Sequence, residues 1–407
     1  MFGVGHVGRL GAQASGGGIP WLPLVGGIPP SFFADFSTEG TTNRYWYLGA
    51  QYAGFTAWKT ATSATFTRAS TATYVSGGVV ATAGSGAARF PGTGLRLTNS
   101  QTELTLWNRD LTNAAWTATT CTVVKNQVGA DGVAASASSL TASAGNATVL
   151  QAITSGSAAR TMGAYVKRIT GTGEIDITQD NGATWTSIPI TGAYAFYTLP
   201  TATLANPTVG FRIVTNGDAI AVDFVSERTA AFIADVIPTT TVTVTQAADS
   251  FSIPTAAWFS SAGGTLAFSG AGQSLATQCP ATFTNGGTFS LGPGFLSRMN
   301  VGLNDTSYDC GGSGTNAAIA SGGSNISAFK FATVYNIPTA LQRVVDVNGS
   351  TAENLTTDFT GVGTTALTIG ALNSGGTFHY SGNLKSIAYY PIAASVIQAR
   401  AMLATVP

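Results

Sequence analysis

The sequence predicts an all-β chain: two tandem β-sandwich domains of jelly-roll type, an extended Gly/Pro-rich N-terminal segment ahead of them, and a short C-terminal helix. Three observations predict it. Apolar and polar residues alternate with period two over short Thr- and Val-rich runs, as half-buried strands require. Gly, Asn-Gly and Asp-Gly turns break those runs at the spacing expected of sandwiches and barrels. Helical periodicity is almost absent before Ala393–Ala404, "AASVIQARAMLA".

Residues 1–60 form the first unit. They are rich in Gly and Pro with scattered aromatics, among them Trp21, Phe32, Phe33 and Trp46. Such a segment cannot easily build a core alone and is expected to lie along another surface. Residues 61–238 form the first sandwich. It opens with "FTRASTATYVSGG" (Phe66–Gly78) and continues through "LWNRDLTNAAWTATTCTVVKNQVGADG" (Leu106–Gly132). Its strands include Thr161–Ile169, Val209–Thr215 and Ala219–Glu227, and "VIPTTT" (Val236–Thr241) marks its end. Residues 239–407 form the second sandwich, closed by the helix.

Composition narrows the function. Charged residues are 9% of the 407, with 18 Lys and Arg against 18 Asp and Glu, so Thr, Ser, Asn and Gly must keep the chain soluble. No basic cluster is present, which argues against nucleic acid, because phosphate binding needs grouped Lys and Arg. Hydrophobic residues at 44%, including 21 Phe, suffice for real cores. No apolar run approaches the roughly 20 residues of a membrane helix. The N-terminus lacks the charged region and unbroken apolar stretch of a secretory signal, so synthesis in a bacterial cytoplasm without secretion is expected. The three cysteines, Cys121, Cys279 and Cys310, show no CxxC spacing; reduced thiols are expected over a Cys279–Cys310 disulfide.

Three stretches resemble tailed-phage and gene-transfer-agent virion proteins of the spike or fibre type. They are "FTRASTATYV" with "AARF" (Ala87–Phe90) and "GLRLTNSQTEL" (Gly94–Leu104); "LWNRDLTNAAWT"; and the C-terminal "GNLKSIAYYPIAASVIQARAML". In such proteins the second opens a jelly roll like a carbohydrate-binding module, and the third closes a concanavalin A-like, laminin-G-like sandwich. The resemblance implies a virion protein, oligomeric on the particle, that attaches it to host surface polysaccharide without catalysis. It makes residues 1–60 the attachment segment, with Trp21, Phe32, Phe33 and Trp46 as its candidate contacts. A purely structural decoration subunit is the alternative, and a polysaccharide depolymerase a more distant one.

The depolymerase reading rests on "GEIDITQDNGATW" (Gly173–Trp185). Retaining glucanases on a concanavalin-like sandwich carry Glu-x-Asp-x-Glu, or Glu-x-Asp-x-x-Glu with a bulge, because residues i, i+2 and i+4 of a strand share one face. Glu174 and Asp176 fit, but Thr178 or Gln179 occupies the proton-donor position. Asp180 lies roughly 20 Å along the strand from Glu174, whereas retaining hydrolysis needs its carboxyls about 5–5.5 Å apart. Asp180-Asn181-Gly182 is instead a hairpin turn signal. The chain is therefore expected not to be an enzyme.

Sugar recognition uses aromatic faces flanked by polar side chains. Trp185, after the hairpin turn, and Trp107 are candidates, with core packing as the competing role; for Trp116 packing is preferred. Tyr308 sits in "GLNDTSYDCGGSGTN" (Gly302–Asn316), read as a polar loop that also offers Asn304 and Asp305. Asn304, Asp305 and Asp309 are oxygen ligands of the kind calcium accepts, but without regular spacing or a bidentate Glu they make a weak signal; a solvated loop is preferred to a calcium site, and no metal or cofactor is expected. His379 lacks any ligand or triad partner nearby in sequence and reads as a satisfied strand histidine. Arg68, Arg89 and Arg96 are expected to bridge the N-terminal segment to the first sandwich.

Overall fold

The computed structural model describes residues 19–273, 278–284, 296–301, 305–312, 315–322, 328–339, 341–346, 351–354, 365–371 and 379–407. The chain is all-β, with its sandwiches nested rather than in tandem. The first, an outer sandwich, has two antiparallel sheets. One runs in the order Thr351–Asn354, Leu341–Asp346, Phe329–Asn336, Gly263–Gly272, Gly382–Tyr390, Phe32–Asp35, Tyr45–Tyr47, Ala50–Tyr52, with Leu95–Leu97 also paired to Gly382–Tyr390. The facing sheet runs from Thr315–Gly322 through Asp305–Gly312, Leu296–Val301, Gln278–Thr284, Ala366–Ile369 and Ser250–Pro254 to Thr65–Thr67.

Residues 32–67 and 95–97 thus belong to the same sandwich as residues 250–407. This redraws the expected boundaries at 60 and 238, and the cause is packing. Phe32 pairs with Tyr389 and Phe33 with Ala388. Phe32 points between the two sheets, where its ring meets Trp258 at 4.9 Å and Trp58 at 6.1 Å. Phe33 points to the opposite face, which the C-terminal helix Val396–Thr405 and the segment around Leu22 and Val25 cover. Both phenylalanines are fully buried. They are core residues and cannot serve as the expected contacts to a virion partner. Trp46 donates its indole N–H to the Pro30 carbonyl at 3.0 Å, and Trp21 packs half-buried on Phe33. A seven-residue helix, Phe55–Ala61, escaped the sequence pattern because it is two turns long; it exists to seat Trp58, whose indole caps the Trp46 carbonyl at 2.9 Å.

The C-terminal helix begins three residues later than its sequence pattern. Ser395 is its N-cap, with Gln398 reaching back to complete a capping box. Ala399, Met402 and Leu403 are buried against the sheet.

The inner module is the jelly roll. One sheet orders Cys121–Gln127, Ala137–Ala142, Ala219–Arg228, Ala158–Thr170 and Ala195–Thr198; the other orders Thr186–Ser187, Ile175–Thr178, Thr208–Ile213, Ala147–Ala152 and Thr117–Thr119. Their core includes Met162, Val166, Ile175, Ile177, Phe211 and Trp116. The jelly roll leaves the outer sandwich after Leu95–Leu97 and returns before Ser250–Pro254. Its stem is a two-stranded pair, Gln101–Glu103 with Val244–Gln246.

Charge is concentrated at this stem. Arg68 meets Asp249 at 3.0 Å, Arg89 bridges Asp249 at 2.5 Å and Asp235 at 2.6 Å, and Arg96 reaches Asp235 at 3.2 Å. All three arginines are buried. They were expected to tie an N-terminal arm to the first sandwich; they tie the two sandwiches together at the insertion point. Glu103 extends the network, accepting from the backbone N–H groups of Leu104, Thr105 and Glu227, from the Thr105 and Ser226 hydroxyls and from Arg228. Beside the stem, hairpin Ala72–Ser76/Val79–Ala83 packs Val80 against Phe224 and Val236 of the jelly-roll side.

Candidate functional site

The hairpin predicted from "GEIDITQDNGATW" is present. Ile175–Thr178 pairs with Thr186–Ser187, and Asn181 and Gly182 both take positive φ, 62° and 76°. That conformation favours Asn-Gly at the two central turn positions. Thr178 donates its hydroxyl to Asp180 at 2.8 Å, and Asp180 accepts the Thr184 N–H at 2.9 Å, so both side chains are spent on the turn.

Alternation divides the strand. Ile175 and Ile177 enter the jelly-roll core, and Asp176 lies on the opposite face of the sheet, where it too is buried. Register then aligns one row across the sheet: Ser187, Asp176, Arg212, Thr148 and Thr119. Directly opposed residues share a face, so the row presents hydroxyls at either end and an ion pair in the middle. Arg212 donates through Nε and approaches through Nη2, both 2.8 Å from the same Asp176 oxygen. The guanidinium carbon lies 4.8 Å from the centre of the Trp185 ring, so it stacks on that ring. Trp185 itself is half-buried, with the edge of its ring against Gly182. Burial raises the Asp176 carboxyl above its ordinary range; Arg212 pulls it back and neighbouring Glu174 adds to the rise. Glu174 is exposed.

The cluster is a flat aromatic held by a guanidinium that a carboxylate fixes in turn. It offers an apolar surface, remaining guanidinium N–H groups and a row of hydroxyls on one open face. Arg212 was not singled out from the sequence. Its signal was there: it is the one charged residue in the alternating strand "VGFRIVT", flanked by Phe211 and Ile213, which both point inward.

The other candidates do not join it. Trp107 belongs to the loop entering the jelly roll, with φ 49°; its N–H donates to Thr240 at 3.0 Å and its ring packs on the module core. Trp116 is buried in that core. Tyr308 and Asp305 lie in the outer sandwich, on strand Asp305–Gly312, and not in a polar loop. Backbone pairing to Leu296–Val301 and Thr315–Gly322 overrides the Gly-rich composition there, with Tyr308 opposite Met299 and Ile319. Asn304 lies outside the described residues. Among the described residues no three His, Cys, Asp or Glu side chains gather around a possible metal position. Cys279 and Cys310 sit on strands separated by a third, roughly 10 Å apart, beyond the about 4.4–6.8 Å Cα spacing of a disulfide. His379 is half-buried; burial holds its imidazole below the usual range against a hydrogen bond to the Gly370 backbone, and its Nδ1 has no partner among the described residues.

No family model and no curated protein matches the chain. Several solved structures are similar to parts of it, three of them over about a third of its length. The carbohydrate-binding module CBM40 of a Ruminococcus gnavus IT-sialidase, bound to α2,3-sialyllactose, is 12% identical over 36% of this chain and 84% of its own, with a TM-score of 0.29. A NanB sialidase from Streptococcus pneumoniae is 14% identical over 37% of this chain and 26% of its own, with a TM-score of 0.30. A heptameric SAP-like pentraxin from Limulus polyphemus is 14% identical over 34% of this chain and 68% of its own, with a TM-score of 0.27. Likeness at this level carries no functional weight.

Proposed function

We propose that this chain is a non-catalytic glycan-binding protein of a phage-like particle, of head-spike or tail-fibre type, and that it holds the particle to host surface polysaccharide. The observation that carries the reading is the Trp185–Arg212–Asp176 cluster on the open, hydroxyl-lined face of the jelly roll. A pyranose ring stacks its apolar face on an aromatic while guanidinium and hydroxyl groups meet its hydroxyls. One such contact is weak. Many copies on a particle make it effective, because linked sites raise local concentration without new contacts. The balanced, sparse charge suits this role, since it avoids nonspecific capture by nucleic acid or membrane.

Purified host polysaccharide on beads, probed with multivalently displayed protein, tests the reading. Wild type is retained, and Trp185→Ala or Arg212→Ala lowers retention at least tenfold, about 1.4 kcal/mol. Absence of wild-type retention refutes polysaccharide binding and leaves a purely structural subunit.

One observation favours a second reading, depolymerisation: Asp176 has a raised carboxyl beside Glu174. The pair lacks a third carboxyl on the strand, because Thr178 stands there and is buried in the turn network. Chain shortening of the polysaccharide, abolished by Glu174→Gln, would establish it over the binding role.

A further inference from the structure

Where the two modules meet, a cavity of about 190 Å³ opens between three pieces of chain. Tyr74 of the stem-side hairpin forms one wall. Tyr165 and Phe196 of the jelly roll form the floor. Ile233 and Asp235 of the returning chain form the opposite wall, and Gln273, just past the end of an outer-sandwich strand, stands at the rim. None of these was visible as a group in the sequence, because they are spread over some two hundred residues.

The jelly-roll side of the cavity is aromatic, its two rings tilted 53° to one another. Tyr165 and Phe196 are opposed in register, with ring centres 5.0 Å apart. Gly163, on the same strand as Tyr165, makes room for them: a Cβ there would come within 2.9 Å of Phe196 and 3.0 Å of Ile233. The polar groups are fixed before any ligand arrives. Asp235 is held by Arg89 at 2.6 Å and by Arg96 at 3.2 Å. The Gln273 side-chain carbonyl accepts from Arg96, and its amide N–H groups have no partner among the described residues. Tyr74 and Tyr165 add two half-buried phenols.

These features select a ligand class. Both oxygens of Asp235 already face arginines, so a cationic ligand would meet no unpaired carboxylate at the wall. A neutral ring with one apolar face and adjacent hydroxyls suits the aromatic floor, the Asp235 acceptor and the Gln273 donor. The volume is that of about six waters at ~30 Å³ each and falls below the roughly 300–1,000 Å³ of pockets for larger ligands. It holds one ring, not a chain.

We propose that this junction cavity is a second site, distinct from the Trp185 face, that takes a single neutral sugar residue. The choice of ligand class rests on the glycan-binding reading. Because the cavity's walls come from both modules, the site exists only when they are docked, and its occupant stabilises the docked arrangement.

The test uses the full chain and methyl glycosides of glucose, galactose, mannose and N-acetylglucosamine at about 50 mM, well above the ~1 mM scale of weak binding. Binding is read by saturation-transfer difference NMR. Wild type and Trp185→Ala bind at least one glycoside, and Phe196→Ala and Gln273→Ala each weaken it about tenfold or more. Gln273 is exposed, so its variant reports on the cavity even if Phe196→Ala fails to fold. No glycoside binding by wild type, or binding untouched by either cavity variant, overturns the proposal. Polysaccharide retention that Trp185→Ala removes but neither cavity variant changes keeps the proposed function and, with unaltered glycoside binding, rejects the cavity site. Glycoside binding that Gln273→Ala weakens, in a protein that no polysaccharide retains, does the reverse.

Discussion

Glu227 offers a quantitative test of how the jelly roll is built. It lies near the end of strand Ala219–Arg228, opposite Met162, and is fully buried. Neither carboxyl oxygen has a hydrogen-bond partner among the described residues. Arg160 is the cation that acts on it, yet Arg160 spends its donors elsewhere: on the Leu204 carbonyl at 3.0 Å, the Gly156 carbonyl at 2.6 Å, the Ser155 hydroxyl at 2.7 Å and the Thr229 hydroxyl at 3.3 Å. Burial therefore pushes the Glu227 carboxyl up to about 8 from an ordinary 4.5, with Arg160 pulling it back and Glu103 adding to the rise.

The consequence for stability has a definite sign. Below pH 4.5 both folded and unfolded chains hold the proton, so Glu227 exacts no ionisation cost. Between 4.5 and about 8 only the folded chain holds it, and stability falls by about 1.4 kcal/mol per pH unit. By pH 8 the loss reaches about 4 kcal/mol, and above that it levels off. Glu227→Gln keeps the shape and removes the ionisation. Urea unfolding of the jelly-roll transition, followed separately because a two-module chain need not unfold in one step, gives the readout. Near pH 4.5 the variant should match wild type within about 1 kcal/mol, and at pH 8 it should be more stable by about 4 kcal/mol. An equal difference at both pH values would refute the reasoning. A variant less stable at pH 8 would show that Glu227 is an anion paired with Arg160.

Three further outcomes are expected. Asp249→Ala strips a buried partner from both Arg68 and Arg89 and should cost about 3–5 kcal/mol, seen as a lower thermal midpoint and faster proteolysis between residues 230 and 249. Phe32→Ala empties a space between Trp58 and Trp258 and should destabilise the outer sandwich by about 3–5 kcal/mol, measured by chemical denaturation; a near-neutral result would return residues 32–35 to the status of a detachable segment. Ser395→Ala removes the cap of the C-terminal helix and should cost about 1 kcal/mol, visible as faster amide exchange in its first turn.

What the sequence made legible was local. Period-two runs became strands, Asn181-Gly182 became the hairpin turn it spells, and Trp116 became core. The nesting was hidden because strand alternation says which face is buried and not which distant strand lies alongside. "FFAD" illustrates the difficulty: Phe32 and Phe33 are both buried because their sheet is covered on both sides, so alternation vanishes and the segment reads as stray aromatics. Tyr308 was misplaced for a related reason, since backbone pairing on both edges makes strands of Gly-rich runs whose side chains carry no strand signal. The Trp185 site was half legible. Trp185 and Asp176 are close in sequence, but Arg212 reaches them only through sheet register. The cavity residues were not legible at all, because they meet only where the two modules dock.

That docking also explains how a chain with so few charges spends them. Arg68, Arg89, Arg96, Glu103, Arg228, Asp235 and Asp249 all cluster at the stem and the neighbouring end of the jelly roll. Buried ion pairs contribute little net stability compared with well-packed apolar groups, because desolvation offsets most of their attraction. Direction is what they supply and apolar contact lacks. An inserted module joined by two thin strands can slide on a greasy surface at small cost. It cannot slide when Arg89 must meet Asp235 and Asp249 together and Glu103 must collect six donors. The same arginines hold Asp235 and Gln273 at the cavity. Orientation of the modules and shape of the cavity are therefore set by one network, and a substitution that loosens the first must spoil the second.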